Sequence, residues 1–313
     1  MVNLDPKIIA SIDAIRLNDS HGASQLARQA AGVLKLNAEL SLAESAEDFL
    51  WEQRDIASRL IAARPAMAPV ANIISRIVDA GSGKAAEMGL VELKRYAASQ
   101  TDAAVKASLQ AVADVVRHGA ALISSGDRIA TCSYSSAVMA TLKEAKAAGK
   151  NFEVVVGRAG ASASGEITAR QLADAGIPVT FVNDTAIGLF ISKVDLCFIG
   201  ADRVCADGGV VNAVGSYLVA LAARADDIPF YVLCETLKFD RRCSSSKADL
   251  EYKTPSQLIK AGRLPGEVKV SYPQYDITPA EMVTAIVTEL GHLSPAEATS
   301  YMKGDSLTTP QCQ

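Results

Sequence analysis

The stretch FEVVVGRAGASASGEITARQLADAGIPVTFV (residues 152–182) decides the fold class. It begins with a short β-rich run, continues into a segment with helical spacing of apolar residues, and ends in a second β-rich run. Two strands separated by a helix of this length must be connected by a crossover, which makes the strands parallel. We therefore predict a parallel sheet covered by helices on both faces.

The same alternation extends through the second half of the chain. Further β-rich runs are RIATCS (128–133), VDLCFIG (194–200) and IPFYVLC (228–234). Helical patterns lie between them in SAVMATLKEAKAAG, TAIGLFIS and VNAVGSYLVALAARA. These runs predict a doubly wound, Rossmann-like α/β domain over residues 125–313. Its last nine residues, DSLTTPQCQ, are expected to be disordered.

The first 124 residues have a different pattern. They are rich in Ala, Leu, Glu, Lys and Arg, and apolar positions recur at helical spacing, as in EDFLWEQRDIASRLIAA. Pro65 and Pro69 mark a break between two helices, since proline ends a helix or lies in its first turn. We predict an N-terminal helical bundle of four to six helices.

Composition narrows the class of protein. The chain has 313 residues, of which 49% are hydrophobic, with 31 basic and 35 acidic side chains. No dense run of Lys and Arg is present, so a nucleic acid is not an expected ligand. No uninterrupted apolar stretch is long enough for a membrane span and no leader is recognisable, so a cytoplasmic protein is expected.

The six cysteines contain no C-x-x-C pair, and the three histidines lie far from them in sequence. This spacing predicts neither a zinc site nor a disulfide framework. Cys197 and Cys234 lie within apolar runs and are expected to be buried. No dinucleotide or Walker motif is present, and GSGK (81–84) lacks a preceding strand, so no cofactor and no metal are expected.

Ligands of open parallel sheets bind beyond the carboxyl ends of the strands, which selects three segments of the second half. In the first, Cys132 to Ser136, the helix start suits an anion, and the helix dipole is expected to lower the pKa of Cys132. Alternatively, Ser135 or Ser136 only caps the helix.

In the second segment, 157–162, Arg158 lies among glycines and serines, which suits either a phosphate or a surface loop. In the third, Asp202 follows an apolar strand, where partial burial favours general acid or base work. Asp202 could instead cap a turn or pair with Arg203. Gly208 and Gly209 are predicted to open a helix that carries Asn212. In the first half of the chain, Arg64 is expected either to bind an anion or to lie at a solvated helix end.

Three motifs resemble one family: IGADRVCADGGVVNAVGSYLVALAA (199–223), IPFYVLCETLKF (228–239) and YDITPAEMVTAIVTELG (275–291). That family unites the alpha, beta and delta regulatory subunits of translation initiation factor 2B with two sugar-phosphate isomerases. The isomerases act on methylthioribose 1-phosphate and ribose 1,5-bisphosphate. The resemblance implies a helical N-terminal domain, a Rossmann-like C-terminal domain, a ligand cleft between them, and homodimers or larger homo-oligomers through the C-terminal domains.

In the isomerases, the resemblance implies, a cysteine and an aspartate convert an aldose 1-phosphate to a ketose. Asp202 matches the aspartate. The isomerase pattern Thr-His-Cys-Asn corresponds to Thr131 to Tyr134 here, so Ser133 occupies the cysteine position and Cys132 precedes it. Four further residues match substrate-binding positions of the isomerases: Gly22, Ala23, Arg64 and Asn212. The family also has an arginine in the loop after the second strand, and here the arginine of that loop, Arg158, is at a shifted position.

Several charges of the family pattern are missing. Arg-Gly-Ala becomes His21, Gly22 and Ala23, and the lysine after the asparagine is Ala213. Tyr134 resembles the alpha regulatory subunits instead. Two functions therefore remain open: a divergent aldose–ketose isomerase acting on a phosphorylated sugar, and a non-catalytic regulatory subunit that binds a sugar phosphate or a nucleotide.

Overall fold

The computed structural model describes residues 4–18, 21–258, 264–265 and 267–304. The chain forms two compact units, residues 1–111 and 112–313. The boundary expected between residues 124 and 125 stays a prediction. The segment DSLTTPQCQ, expected to be disordered, lies outside the described residues.

The first unit is helical, as predicted. Its helices are α1 (Pro6–Leu17), α2 (Ala23–Leu40), α3 (Ala46–Ala63), α4 (Ala68–Ser82) and α5 (Leu90–Ala121), the last of which ends in the second unit. Asp5 caps α1 and Ser45 caps α3 by accepting backbone N–H bonds. Pro69 lies in the first turn of α4, where its missing N–H has no cost, so the predicted break at the two prolines is confirmed.

The second unit is built on a seven-stranded sheet. Its strands in chain order are β1 (Arg128–Cys132), β2 (Glu153–Gly157), β3 (Val179–Val182), β4 (Leu196–Ile199), β7 (Phe230–Leu233), β10 (Ala285–Thr288) and β11 (Gly291–Leu293). The spatial order is β11-β10-β7-β4-β1-β2-β3. All neighbours pair in parallel except β10 and β11. The predicted doubly wound architecture is therefore confirmed.

Alternate residues of these strands enter two separate cores. Ala130, Cys132 and Val155 pack in one, whereas Ile129 and Val154 pack in the other. Burial on both faces is the reason that these strands read as continuous apolar runs. Cys197 and Cys234 are completely buried, as expected.

The second unit also contains α6 (Ser136–Ala147), α7 (Ser164–Asp174), α8 (Gly188–Ile191), α9 (Ser216–Ala225), α10 (Pro255–Leu258) and α11 (Pro295–Lys303). Of these, α7, α9 and α11 contact strands of the large sheet. Within the described part of the chain, no helix combines the length and apolar character that crossing a membrane requires.

A second sheet of four strands was not predicted. It contains β5 (Arg203–Cys205), β6 (Val210–Ala213), β8 (Phe239–Asp240) and β9 (Tyr275–Thr278) in the order β8-β5-β6-β9. The helix expected over VNAVGSYLVALAARA begins only at Ser216, and Asn212 lies in a strand. The prediction was wrong here because pairing of β6 with β5 and β9 outweighs the helical spacing.

Candidate active site

The carboxyl edge of the large sheet contains a point where the winding reverses. From β1 the chain goes outward to β2 and β3, then returns to β4 on the other side of β1. The loops after β1 and β4 therefore diverge and leave a crevice for a ligand. Three predicted residues lie at the ends of these two strands: Cys132 ends β1, Ser133 follows it, and Asp202 follows β4.

Cys132 is the last residue of β1 and pairs with Gly157 of β2. Its side chain is only 2% exposed. The sulfur lies 4.0 Å from Oδ1 of Asp184. The thiol is thus inside the sheet edge and next to a carboxylate, not at the start of the helix.

This placement reverses the expected effect on the thiol. Burial raises the pKa of Cys132, and the carboxylates of Asp184 and Asp276 raise it further. Hydrogen bonds from the Ala159 and Ser133 backbone act in the opposite direction but are weaker. The prediction of a pKa lowered by the helix dipole was wrong, and the group is a neutral thiol at neutral pH.

The turn after Cys132 is strained. Ser133 has φ of 69°, a left-handed conformation that non-glycine residues rarely adopt. Its hydroxyl lies 3.0 Å from that of Ser164, and its carbonyl accepts a bond of 2.8 Å from Thr168. Ser135 accepts from the backbone of Val138, so the capping interpretation holds for that serine. Strained non-glycine residues concentrate at functional sites.

Asp184 ties the loop after β2 to this turn. Its carboxylate accepts backbone bonds of 2.9 Å from Ala159 and 2.6 Å from Gly160. Ala159 and Ala163 also have left-handed φ values, 67° and 52°. Three strained non-glycine residues, counting Ser133, therefore surround the ends of β1 and β2. The carboxylate stabilises this loop by fixing two of its N–H groups.

Gly215 contacts both Cys132 and a second carboxylate, that of Asp276. A Cβ atom at Gly215 would lie 2.8 Å from the Cys132 sulfur and 3.7 Å from Oδ1 of Asp184, and φ is +108°. Only glycine fits both the close approach and this backbone conformation. The Gly215 N–H donates to Oδ2 of Asp276 over 2.7 Å, and the Tyr217 N–H donates over 3.2 Å.

Only one of the two carboxylate oxygens of Asp276 has hydrogen-bond partners. Its Oδ1 atom is buried without a hydrogen-bond partner. Burial raises the pKa of Asp276 to about 6, against the two backbone bonds, which lower it. A carboxyl group in this range exchanges a proton close to neutral pH. We call Cys132, Asp184, Gly215 and Asp276 the edge cluster.

Asn212 adjoins the edge cluster. It pairs directly with Asp276 across β6 and β9. The side chain is buried, and its amide donates to the Ser216 hydroxyl over 2.9 Å. A Cβ at Gly200 would lie 3.9 Å from the Asn212 amide oxygen, so this side chain faces the loop after β4.

Asp202 is half-buried in that loop. Its N–H donates to the Val211 carbonyl over 2.9 Å. Arg203, the next residue, lies opposite the same Val211 in the pairing of β5 with β6. Two residues facing one is the arrangement of a β-bulge, a feature that redirects side chains near active sites. Arg203 forms an ion pair with Asp240, 3.5 Å away, with both side chains buried.

Gly208 and Gly209 do not open a helix, so that prediction was wrong. They form the turn between β5 and β6, because Gly208 has φ of +82° and its N–H bonds the Cys205 carbonyl. A Cβ at Gly208 would meet Ala280 and Pro295 at 3.2 and 3.3 Å. These contacts belong to the second sheet and α11, away from the edge cluster.

Arg158 follows β2 and is 44% exposed. Its Nε atom lies 3.5 Å from the Glu166 carboxylate. Beside it, the hydroxyls of Ser133, Ser162 and Ser164 form a chain with separations of 3.0 and 3.3 Å at the first turn of α7. Arginine, hydroxyls and a helix start are groups that bind anions.

Arg64, Gly22 and Ala23 come together within the first unit. The guanidinium of Arg64 is buried and donates to the carbonyls of Ile15, over 3.0 Å, and Asn18 at the end of α1. Gly22 and Ala23 begin α2. Arg64 is thus not a solvated helix end; it stabilises the last carbonyls of α1.

A further buried carboxylate follows β7. Glu235 is 1% exposed, and neither of its carboxylate oxygens has a hydrogen-bond partner. Lys238, 5% exposed, lies one turn later and bonds the Glu235 carbonyl through its backbone. Because β7 neighbours β4, both residues lie beyond the same edge of the sheet as Asp202.

Comparison with known proteins identifies the family. A model of the Initiation factor 2 subunit family matches residues 19–295. The chain belongs to this family. The resemblance found in the three sequence motifs is therefore confirmed, and the match includes both the helical unit and the sheet.

Relatives within the Initiation factor 2 subunit family have two kinds of name. The chain is 29% identical over 302 residues to the ribose 1,5-bisphosphate isomerase of Thermococcus kodakarensis, covering 95% of this chain and 94% of the relative. It is 32% identical over 294 residues to the putative translation initiation factor eIF-2B subunit 2-like protein of Pyrococcus abyssi, with 93% and 98% covered.

Solved structures of the Initiation factor 2 subunit family and its neighbours share the fold. Translation initiation factor eIF-2B of Pyrococcus horikoshii superposes with a TM-score of 0.81 at 27% identity, covering 93% of this chain and 98% of that one. The 5-methylthioribose 1-phosphate isomerase of the same organism gives a TM-score of 0.78 at 23% identity, with 95% and 87% covered.

In this family member, sequence reasoning missed Asp184, Asp276, Glu235 and Lys238. One signal was available for Asp184 and Glu235, since each follows a β-rich run as Asp202 does. Asp276 and Lys238 lie in motifs that were used only to recognise the family. Their chemistry depends on neighbours distant in sequence, which spacing does not reveal.

Proposed function

We propose that this chain is an isomerase that converts a phosphorylated aldose into the corresponding ketose. The substrate would be of the ribose 1,5-bisphosphate or methylthioribose 1-phosphate type. The observation that carries the proposal is the edge cluster. In it, a thiol and two carboxylates pack beside a strained turn, at the point where the winding of the chain through the sheet reverses. The name of the Thermococcus kodakarensis relative supports this choice of reaction.

The reaction needs one acid and one base. As the sugar ring opens, the ring oxygen gains a proton. One hydrogen then moves from C2 to C1, and the C2 hydroxyl loses its proton as the ketone forms. C1 is reduced while C2 is oxidised, so no external oxidant or reductant takes part.

Asp202 is proposed as the base that removes the C2 hydroxyl proton, because it is a half-buried carboxylate in the loop after β4, beside the crevice. Cys132 is proposed as the acid, because a thiol with a raised pKa keeps its proton at neutral pH. Ser133, at the family's cysteine position, is the alternative partner. Asp276, with its pKa near 6, is suited to return the proton between turnovers.

Substrate binding is assigned to polar groups around these residues. Arg158 and the hydroxyls at the start of α7 would hold a phosphate, and Asn212 a sugar hydroxyl. Arg64 and the Gly22–Ala23 helix start stay predicted binding residues of the first unit, where Arg64 donates to the carbonyls of Ile15 and Asn18. Gly208 and Gly209 are left out of this assignment, because their turn packs against α11.

A second function has its own support. The sulfur of Cys132 is buried, and serine stands at the position of the isomerase cysteine. A regulatory subunit of the initiation factor 2B type, which binds a sugar phosphate or a nucleotide without converting it, would have no need of a reactive thiol. The name of the Pyrococcus abyssi relative is of this kind.

One experiment separates the two functions. Purified protein is incubated with ribose 1,5-bisphosphate, methylthioribose 1-phosphate and other aldose 1-phosphates, and ketose formation is followed by NMR. We expect turnover that falls by about 10²- to 10⁴-fold in Asp202→Asn. Asp207→Asn, which changes an exposed carboxylate of the same hairpin, should retain full activity.

Calorimetric titration with the same sugars completes the test. Binding without turnover would support the regulatory subunit and overturn the isomerase. Turnover unaffected by Asp202→Asn would contradict the assignment of the base.

We also propose a cytoplasmic homodimer or larger homo-oligomer formed through the second unit. The neighbouring helices α8 and α9 expose Leu189, Tyr217, Leu218 and Leu221, by 75%, 37%, 40% and 39%. A contiguous apolar surface of this kind favours association. Light scattering during gel filtration measures the mass, and a monomer at micromolar concentration would contradict the proposal.

A further inference from the structure

Two thiols outside the edge cluster lie on neighbouring segments of the second sheet. Cys205 ends β5, and Cys243 follows β8 by three residues. Strands β5 and β8 pair with Cys205 opposite Asp240, and the N–H of Ala206 donates to the Cys243 carbonyl over 2.9 Å. This bond keeps the two Cα atoms within about 8 Å even in its most extended geometry.

This upper limit lies just above the range of a disulfide, roughly 4.4–6.8 Å between Cα atoms. A second contact, two residues after each cysteine, joins the same segments. Ser245 donates to Asp207 through its N–H over 2.9 Å and through its hydroxyl over 2.7 Å. The two cysteines are therefore held beside each other from both ends.

Cys243 has the surroundings of a reactive thiol. It is half-buried, whereas the other four cysteines in the described part of the chain are buried. The guanidinium of Arg203 donates to its sulfur over 3.4 Å. Arg241 and Arg242 precede it and are exposed, while Asp240 pairs with Arg203 and Arg242. A partly exposed sulfur that accepts a hydrogen bond from a guanidinium is open to attack on a small oxidant.

Cys205 has the surroundings of a second, protected thiol. Burial raises its pKa to about 12, and the neighbouring Cys243 and Asp207 charges add to the effect, whereas Arg203 lowers it. Cys205 is therefore suited to react after Cys243 rather than before it.

We propose that Cys243 and Cys205 form a peroxide-reactive pair, in which Cys243 reacts first and Cys205 then closes a reversible disulfide. The Cys243 sulfur attacks one oxygen of a hydroperoxide, the O–O bond breaks, and water or an alcohol leaves as the sulfur becomes a sulfenic acid. The Cys205 sulfur then attacks the Cys243 sulfur, the S–O bond breaks, and water leaves. Overall, two thiols are oxidised and the hydroperoxide is reduced. One thiol proton ends in the water or alcohol of the first step, and the other in the water of the second.

The cysteine pair lies in the second sheet and in the segment after β8. Its reaction with peroxide is therefore independent of whether the edge cluster converts a sugar. Its consequence for the fold is a covalent link between the hairpin that carries Asp202 and the segment after β8.

The test uses the full chain with Cys312→Ser as background, since Cys312 lies outside the described residues. Reduced protein is treated with hydrogen peroxide and examined by intact mass and peptide mapping. We expect the loss of two hydrogen masses, a single cross-linked peptide joining residues 205 and 243, and full reversal by dithiothreitol.

Two variants separate the roles. In Cys205→Ser, Cys243 should stop at the sulfenic acid, which dimedone captures. In Cys243→Ser, peroxide consumption should fall about tenfold and Cys205 should remain a thiol. The matched control Cys197→Ser, which removes a buried thiol of β4, should leave the rate and yield of the cross-link unchanged.

Three results would overturn the proposal. They are a cross-link that joins another pair, a sulfenic acid that persists at Cys243 while Cys205 is present, and undiminished peroxide consumption by Cys243→Ser. Circular dichroism before and after treatment shows that the folded protein is the species that reacts.

Discussion

Cys132 and Cys243 are two thiols of one domain in opposite electrostatic surroundings. Cys132 is buried at the end of a central strand, and two carboxylates raise its pKa. Cys243 is half-buried at the rim of the small sheet, and an arginine donates to its sulfur. Access differs as well, since Cys132 is closed off from solvent whereas Cys243 is partly exposed.

The difference teaches that a strand end before a helix does not by itself activate a thiol. Cys132 has the sequence context of a reactive cysteine, with serines and a helix start after it. Burial and the charges of Asp184 and Asp276 outweigh that context. Cys243 has no such motif, and its surroundings come from Arg203, which lies 40 residues earlier.

The largest effect is expected in thiol labelling of the folded protein. Cys243 should react with an aromatic disulfide reagent about 10³-fold faster than Cys132, because Cys132 is buried and has a raised pKa, whereas Cys243 is half-buried. Rates are measured by mass spectrometry of labelled peptides. Labelling in denaturant should abolish the difference, and a faster reaction at Cys132 in the folded state would refute the comparison.

The packing of the Cys132 region can be tested at Gly215. Gly215→Ala should lower the free energy of unfolding by about 3 kcal/mol, since the new methyl group combines a left-handed φ with a clash against the Cys132 sulfur. Urea denaturation followed by circular dichroism measures the change.

Gly126→Ala is the matched control. Gly126 has φ of +101° and no atom within 4 Å of a Cβ position, so its cost is the backbone strain alone, about 1 kcal/mol. Adding Cys132→Ala should recover part of the Gly215→Ala loss but none of the Gly126→Ala loss. Equal costs at the two glycines would mean that the sulfur is not in close contact.

The smallest effect concerns Asp276. Its pKa in the folded protein, about 6, is above the ordinary value of 3.8, so the folded state binds more protons than the unfolded chain between these pH values. The contribution of Asp276 to stability is therefore present below about pH 4 and is lost as pH rises through 6. Asp276→Asn should stabilise the protein by about 2 kcal/mol at pH 7.5 relative to pH 4.

Asp207 should show the opposite dependence of stability on pH. Burial is the largest single influence and raises its pKa, but the hydrogen bonds from Ser245 and Gly209 together outweigh it and hold the pKa below its ordinary value. Asp207→Asn should therefore destabilise the protein at neutral pH and have less effect in acid. The pair of variants is compared by urea denaturation across pH, and equal signs would contradict the assigned environments.

The sequence by itself determined the helical first unit, the five predicted parallel strands and the family. These features follow from local patterns, because strands buried on both faces must be apolar throughout and helices at a surface must be amphipathic. The positions of Cys132 and Asp202 beyond neighbouring strands also follow from the alternation of strands and helices.

Only the tertiary structure decided that residues 210–213 form a strand, that Asp184 and Asp276 adjoin Cys132, and that Cys243 lies beside Cys205. The placements of Asp184, Asp276 and Cys243 depend on partners 38 to 144 residues away in the chain. Strand β6 pairs with β5, 6 to 8 residues away, and with β9, 62 to 68 residues away. Strand pairing and the pKa of a buried group are set by whichever atoms the fold brings within a few ångströms. Residue spacing along the chain does not contain that information.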